Sequence, residues 1–484
     1  MNNLNFLVDV LKESPVFKTL EKNVKPGRTV CASGLSTINK SNIIYALCRL
    51  KGVTAFCLAS DEKEAQTLCN DLSCMGLRAY VYPVRDFNFL DFQSRSHEYE
   101  HARLKVLLKL LNHECDVAIA CVDAAAQLTV PKNVLEQSVI EFEEGRELSL
   151  EKATKALTLL GYERFDAVEG SGQFSLRGGI LDFFMPDSDY PVRCEFWGDE
   201  ITDLSYFDIE TQRRFKKADK ITLSPSTEIV IEDRAALADK IEHKAKLLRS
   251  KNSAKAKEKL FSEAELIRSG AMIANADKFI NQIYDKPESL FDYLDRNTLV
   301  FASEFTAIQE RGKSMDFISN ETLMQGFEDG TLCRGFDRFA LTFNECTEFL
   351  QSHGTIVLEN FVHGSMPIKL SEIISFSTKQ LSAWGGSYKQ LKEDVDGLFT
   401  PESKGVIFAG TERAAKNLCD TFNADGINAV YSEGADKISK GELLVMQGAL
   451  SAGFEYPSQK FFAITYSQVS YRPEKSKKKK KKTE

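Results

Sequence analysis

The sequence predicts a multidomain α/β protein in which an antiparallel β module lies between two α/β regions. Three observations predict it. Residues 1 to about 130 alternate short apolar strands with helical stretches, the βαβ rhythm of a parallel sheet. Residues 161–214 alternate apolar and polar side chains at strand period, broken by glycine and proline turns. From about residue 375 strand and helix alternate again. The 484 residues are 43% apolar, enough to fill several cores.

In the first region, residues 29–33 read as a short strand, 41–50 as a helix and 53–58 as a buried strand. Residues 62–75 read as a helix stopped by Gly76, 79–82 as a strand, and 117–121 as another. Between these last two, 99–111 reads as an amphipathic helix with Leu104, Leu107, Leu108 and Leu111 on its apolar face.

The first strand runs into Gly34-Leu-Ser-Thr-Ile-Asn39-Lys40-Ser41, the spacing of a phosphate-binding loop, except that Asn39 stands where the second glycine belongs. A side chain there obstructs the wrap of backbone N–H groups around a phosphate, or demands positive φ, which Asn tolerates better than most residues. Leu299-Val-Phe-Ala-Ser303-Glu304-Phe305 has the form of a Walker B strand, with Ser303 in place of the aspartate that would hold Mg²⁺ and Glu304 retained. Two such losses predict a degenerate nucleotide site at Gly34, Asn39, Lys40, Ser41, Ser303 and Glu304. No catalytic residue is expected.

His97-Glu98-Tyr99-Glu100-His101 has the H-E-x-x-H spacing of zinc proteases. Its flanks are polar and charged, whereas such a zinc helix is mostly buried. A solvated first helical turn is the expectation, and no metal.

In the β module, Phe174 and Leu176 face one way and Ser175 and Arg177 the other. Val192, Cys194 and Phe196 alternate with Arg193, Glu195 and Trp197, and Gly198-Asp199 turns the chain. A meander of this kind buries one face and leaves the other wet. Arg177 falls on the wet face, with Arg164 just upstream. Residues 233–283 are helix-rich. In the last region 405–409, 428–431, 442–446 and 461–465 read as strands, and 411–422 as a helix with Ala414, Ala415, Leu418 and Phe422 as its stripe.

Formal net charge is −8, but residues 471–484, with Lys477 to Lys482 in one run, carry +6, leaving −14 on the rest. By composition the body is a poor surface for DNA. The charge run itself reads as disordered. Eleven cysteines without a C-x-x-C pair argue against a disulfide framework and a zinc ribbon, and fit a reducing cytoplasm. A signal peptide and an apolar membrane span are absent from the sequence.

The string GYERFD…VEGSGQFSLRGGILDFF…PVRCEFWGDEI…TQRR resembles the module shared by the UvrB and Mfd proteins of nucleotide excision repair. The resemblance implies that this module docks the damage sensor UvrA, with Arg164 and Arg177 as contacts. Ser175 stands where UvrB has a further arginine. Residues 87–92 lie where UvrB inserts a long aromatic hairpin, but the span from Tyr82 to His97 is too short for it. That gap and the paired degenerate motifs favour the Mfd side.

GALSAGFEYPSQKFFAIT resembles the small domain specific to the Mfd family. VIFAGTERAAKNLCDTF also looks like the start of a second helicase lobe, but no Q-x-x-G-R-x-x-R motif follows. The resemblance implies a RecA-like parallel-sheet domain with halves at 1–130 and 223–374, split by a UvrA-docking domain at 131–222. A small α/β domain at 375–470 and a basic linker at 471–484 would follow.

In the Mfd family, the region so matched recruits UvrA to RNA polymerase stalled at DNA lesions. The polymerase-binding and ATP-driven DNA translocase parts would lie beyond this chain. RNA polymerase and double-stranded DNA are then partners of the whole, ATP and Mg belong to its motor, and no cofactor is expected here. The alternative is an active ATPase or helicase fragment using the 34–41 loop.

Overall fold

The computed structural model describes residues 3–85, 97–137, 140–249, 253–270, 276–362, 366–385 and 387–466. Residues 87–92 and 471–484, singled out above, lie outside the described residues. Along the chain, strands β1 (Val30–Ser33), β2 (Ala55–Ala59), β3 (Ala79–Tyr82) and β4 (Val117–Cys121) come first. They alternate with helices α1 (Asn5–Lys12), α2 (Pro15–Asn23), α3 (Thr37–Lys51), α4 (Glu62–Cys74) and α5 (Glu98–Leu111). The module follows as β5 (Ile140–Glu143), β6 (Glu163–Arg164), β7 (Gln173–Arg177), β8 (Ile180–Phe183), β9 (Val192–Trp197), β10 (Glu200–Phe207), β11 (Arg214–Lys217) and β12 (Lys220–Leu223). Then come β13 (Leu299–Ser303), β14 (Thr355–Leu358) and β15 (Glu372–Ser375). Last are β16 (Lys379–Leu381), β17 (Lys404–Phe408), β18 (Ala429–Ser432), β19 (Glu442–Met446), β20 (Gly453–Tyr456) and β21 (Phe461–Thr465).

The first sheet is parallel, in the order β15-β1-β14-β13-β2-β4-β3. Its strands come from both sides of the module, so the module is an insertion in this domain. β1, β2, β4 and β14 are buried at every position, as expected of strands covered on both faces.

The module leaves and rejoins the domain through an antiparallel ribbon of β5 with β12. Its own sheet runs β11-β10-β9-β8-β7-β6, antiparallel except for β6 with β7. Phe174, Leu181, Phe183, Val192 and Cys194 face inward onto Phe142 and the helix Leu150–Leu159.

The second sheet, β16-β20-β21-β17-β19-β18, does not stand apart from the first. α1, α2 and α3 are packed between the two sheets. One continuous core joins Phe6, Leu11, Ile43, Leu47 and Leu68 to Val406, Phe408, Met446, Leu450 and Phe461. This explains α3, in which every residue from Ile38 to Cys48 is buried. Hydrogen bonds cross the same seam. Asn42 Nδ2 donates to the Tyr456 hydroxyl (2.9 Å), and the Ser451 backbone N–H to Asp71 Oδ1 (2.7 Å). Among the described residues, no helix is long and apolar enough to cross a membrane.

Candidate functional site

α3 begins at Thr37, four residues earlier than the sequence suggested. Asn39 therefore lies in the helix rather than in a loop, fully buried, with its Nδ2 donating to Ser36 Oγ (2.9 Å). The positive φ weighed for residue 39 falls instead on Gly34, at 79°. A side chain on Gly34 would collide with the Phe376 carbonyl. Two amides of the turn Gly34-Leu35-Ser36 are already used. Gly34 N–H donates to the Asn360 carbonyl (3.1 Å) and Leu35 N–H to that of Glu359 (3.0 Å).

The structure does bring Lys40, Ser303 and Glu304 together, with Gly34 joined to them through Asn360, but Ser41 turns away, its Oγ 3.3 Å from the Thr37 carbonyl and 3.3 Å from Asp71 Oδ2. The Lys40 ammonium, 2% exposed, pairs with Glu304 Oε1 (2.6 Å) and Glu64 Oε1 (3.2 Å) and donates to Ser303 Oγ (2.9 Å). Ser303 Oγ donates in turn to Glu64 (2.7 Å). Burial pushes the Glu64 carboxyl up, but Lys40 and the hydroxyls of Ser60 and Ser303 hold it below the usual range. Glu359 is buried behind them and accepts from Phe305 N–H (2.8 Å). Burial and the neighbouring Glu304 carboxylate push it well above the usual range. Lys40 is thus neutralised by carboxylates, and the Gly34 and Leu35 amides are occupied by carbonyls. Glu64 and Glu359 were not legible beforehand, since nothing in their spacing ties them to Lys40.

The H-E-x-x-H turn corrects an expectation. Glu98 and Tyr99 are exposed, as a solvated turn requires, but Glu100 and His101 face the seam between α5 and the β module. Glu100 is 6% exposed and accepts from Glu228 N–H (2.8 Å), Thr227 Oγ1 (2.9 Å) and His97 Nδ1 (2.9 Å). Burial opposes its ionisation, yet His97, Arg85 and the Glu228 amide bring its pKa down to about 2. The His97 and His101 rings stack at 5.8 Å, and His101 lies where a side chain on Gly172 would have to go. A cavity of about 370 Å³ between His97, His101, Gly161, Glu163, Gly172 and Gln173 marks the seam. The sequence hid this because Glu100 finds its partners at residues 227 and 228, where the chain returns from the module. Arg103 lies alongside, fully buried, with Nε donating to Glu228 Oε1 (2.7 Å) and Nη1 to Gln127 Oε1 (2.7 Å). Among the described residues, no group of three or more His, Cys, Asp or Glu side chains could hold a metal ion.

The outer face of the module is the third place the sequence singled out. Strand register aligns Ser175 with Asp182 and Arg193, and Arg177 with Ile180 and Glu195. Arg177 is half exposed, its side chain at 51%, with Nη2 donating to Asp182 Oδ2 (2.8 Å). Asp182 is 1% exposed and also receives Nε (2.7 Å) and Nη2 (2.8 Å) of Arg193. Arg193 lies over the Phe207 ring at 4.5 Å and donates to the Gln212 carbonyl (3.1 Å). Gln212 itself has φ 58°, which makes it the pivot of the β10–β11 turn.

Arg164 is exposed on β6, at the sheet edge. Ser175 departs from the wet face read for it. It is 1% exposed, with Oγ donating to the Asp166 carbonyl (2.8 Å), because the chain leading into β7 folds over that position. Asp182, Arg193 and Gln212 were missed. The period-two pattern puts Asp182 and Arg193 on the outer face, but only strand pairing sets them side by side.

Residues 140–229 match the model of the UvrB interaction domain. A transcription-repair-coupling factor of Bacillus subtilis is 26% identical over 473 residues, covering 95% of this chain and 40% of the relative. One from Staphylococcus epidermidis is 25% identical over 84% of this chain and 35% of the relative, and one from Staphylococcus aureus 22% over 99% and 41%. The chain thus spans about two fifths of the length of the curated relatives it matches. A match over 95% of the chain, with the β module in its midst, makes this chain a relative of the transcription-repair-coupling factors that carries a UvrB interaction domain.

Proposed function

We propose that this chain is the recruiting part of a transcription-repair coupling protein, which docks UvrA through the outer face of its β module to start nucleotide excision repair. The observation that carries the reading is Arg177, half exposed yet anchored to a buried carboxylate, within the stretch that matches the UvrB interaction domain. One carboxylate serves two guanidiniums there, so that spot on the face keeps a local positive charge that an acidic partner group can neutralise. Arg164 extends the face to the sheet edge. Ser175 is buried, so the docking contact falls to the two arginines. Residues 131–222 hold this face in our reading, while 1–130 with 223–374 is its carrier. The 375–470 unit stiffens the carrier through the shared core, and 471–484 is a linker.

On this reading, RNA polymerase and double-stranded DNA are partners of the longer protein, and ATP-driven translocation is its work in the cytoplasm. The chain described here hydrolyses no ATP of its own, a reading supported by the occupied amides around Gly34 and the neutralised Lys40.

Calorimetric titration of UvrA into the chain tests the proposal. Arg177→Glu lowers affinity about tenfold or more while the thermal midpoint stays within a few degrees. Unchanged affinity removes Arg177 from the contact.

A further inference from the structure

The outer face carries a second feature that no sequence motif marked. Trp197 is 82% exposed at the end of β9. A large aromatic left this open on a folded surface is unusual, because burying it would remove a large apolar area from water. Its position is set by register. Arg193, Glu195 and Trp197 alternate outward along β9, and Ile180 pairs with Glu195. Continuing that register brings Trp197 beside the β7–β8 turn, Gly178-Gly179, which directly follows Arg177.

Two observations explain why nothing covers the ring from that side. Gly178 has φ 63° and no side chain, and space around its missing Cβ is open to 4 Å. Gly179 is locked against the Phe196 carbonyl, so a side chain cannot be added there without a clash. The turn that ends β7 is thus bare beside the ring.

The charges on this face are also ordered rather than scattered. Asp182 clamps Arg177 and Arg193, and Arg214 pairs with Glu195 and with Asp203 (3.0 Å). The guanidinium of Arg177 is therefore held in place against Asp182, with part of its side chain in solvent, on the same outer face of the sheet as the open indole of Trp197.

We infer that Trp197 is the apolar anchor of the docking face and that Asp182 is the positioning residue for Arg177, so that the face fits a partner surface presenting an apolar socket and, further along the same strands, a carboxylate. This rests on the reading of UvrA as the partner, and extends it by two residues and by the chemistry of the partner's surface. Aromatic and arginine anchors of this kind dominate interface energetics.

Titration of UvrA into the full chain and its variants tests it. Trp197→Ala lowers affinity about tenfold or more, and Trp197→Phe restores most of it, with thermal midpoints unchanged because the ring packs on little. Arg177→Ala weakens wild type but has a much smaller effect in an Asp182→Asn background, while the Trp197→Ala loss persists there. If Asp182→Asn unfolds, the Trp197 pair of variants decides alone. A wild-type chain that binds UvrA, with Trp197→Ala binding equally well, overturns the inference. A wild-type chain that does not bind UvrA at all overturns the reading beneath it.

Discussion

Lys40 Nζ lies 2.6 Å from Glu304 Oε1, closing an ion pair between the start of α3 and the end of β13. In a working phosphate-binding loop these two positions would face a nucleotide from opposite sides. Here they face each other. With Glu64 as a second partner, the pair fastens the carboxyl ends of β1, β2 and β13 together.

Removing the lysine should therefore cost stability rather than activity. Lys40→Met leaves Glu64 and Glu304 crowded without a counter-charge, and Lys40 is only 2% exposed. Breaking one side of a buried pair costs about 3–5 kcal/mol. A urea titration reads this as a lower midpoint with an unchanged slope. The companion measurement is a thermal melt of wild type with millimolar Mg-ATP, which should leave the midpoint where it was. A ligand at a hundred times its Kd would add about 2.7 kcal/mol and raise the midpoint by degrees.

Glu359 gives the same site a pH signature. Burial and the Glu304 carboxylate raise its folded pKa above that of an ordinary glutamate. The folded state then keeps a proton that the unfolded chain gives up first, so stability falls as pH rises past the ordinary glutamate range. Below that range both states are protonated and the effect vanishes. Asp71, raised to about 6 by burial, acts with the same sign between the ordinary aspartate range and pH 6. Glu359→Gln keeps an acceptor for Phe305 N–H and removes the charge. Its stability profile should be flatter than wild type between pH 5 and 8, and at pH 8 it should be at least as stable. Parallel profiles in urea melts across that range would count against the assignment.

The joined core makes a further prediction. A chain ending at Ser375 would lose the sheet that covers α1 and α3, exposing Phe6, Ile43, Leu47 and Leu68 along with the polar ends of Asn42 and Asp71. An apolar face of that extent drives association. Expression of residues 1–375 should give aggregated protein, whereas the full chain stays in solution; a monodisperse truncated chain on size-exclusion chromatography would mean the two sheets fold independently.

What the sequence made legible follows from how local the cause is. The strands β3, β4, β19 and β21 were read to the residue, because a short apolar run bounded by turns is decided by its own side chains. The start of α3 was misread because a motif spacing suggested a loop, whereas the covering sheet and the Asn39–Ser36 hydrogen bond favour continuing the helix toward Thr37. The roles of Glu100, Asp182 and Glu359 were out of reach for a related reason. Each is a carboxylate that reads as a surface residue, and each is buried by partners that arrive from elsewhere in the chain. Arg164 and Arg177 were singled out through resemblance, not pattern, since an exposed arginine on a strand says nothing by itself.

Ser175 offers the sharpest test of the outer face. If the serine simply marked a missing arginine, Ser175→Arg would add a contact and strengthen docking. The geometry argues otherwise. Position 175 is 1% exposed, paired in register with Asp182, and roofed by the Asp166 carbonyl that its hydroxyl holds. An arginine there has to push the 163–166 segment aside, and it competes with Arg177 and Arg193 for the one carboxylate. Overpacking of a buried site costs about 1–3 kcal/mol, and disturbing Arg164 and Arg177 weakens docking as well. Ser175→Arg is thus expected to lower the thermal midpoint by several degrees and to bind UvrA less tightly than wild type. Tighter binding at an unchanged midpoint would show that the segment over Ser175 yields freely and that the buried row is not what orders this face.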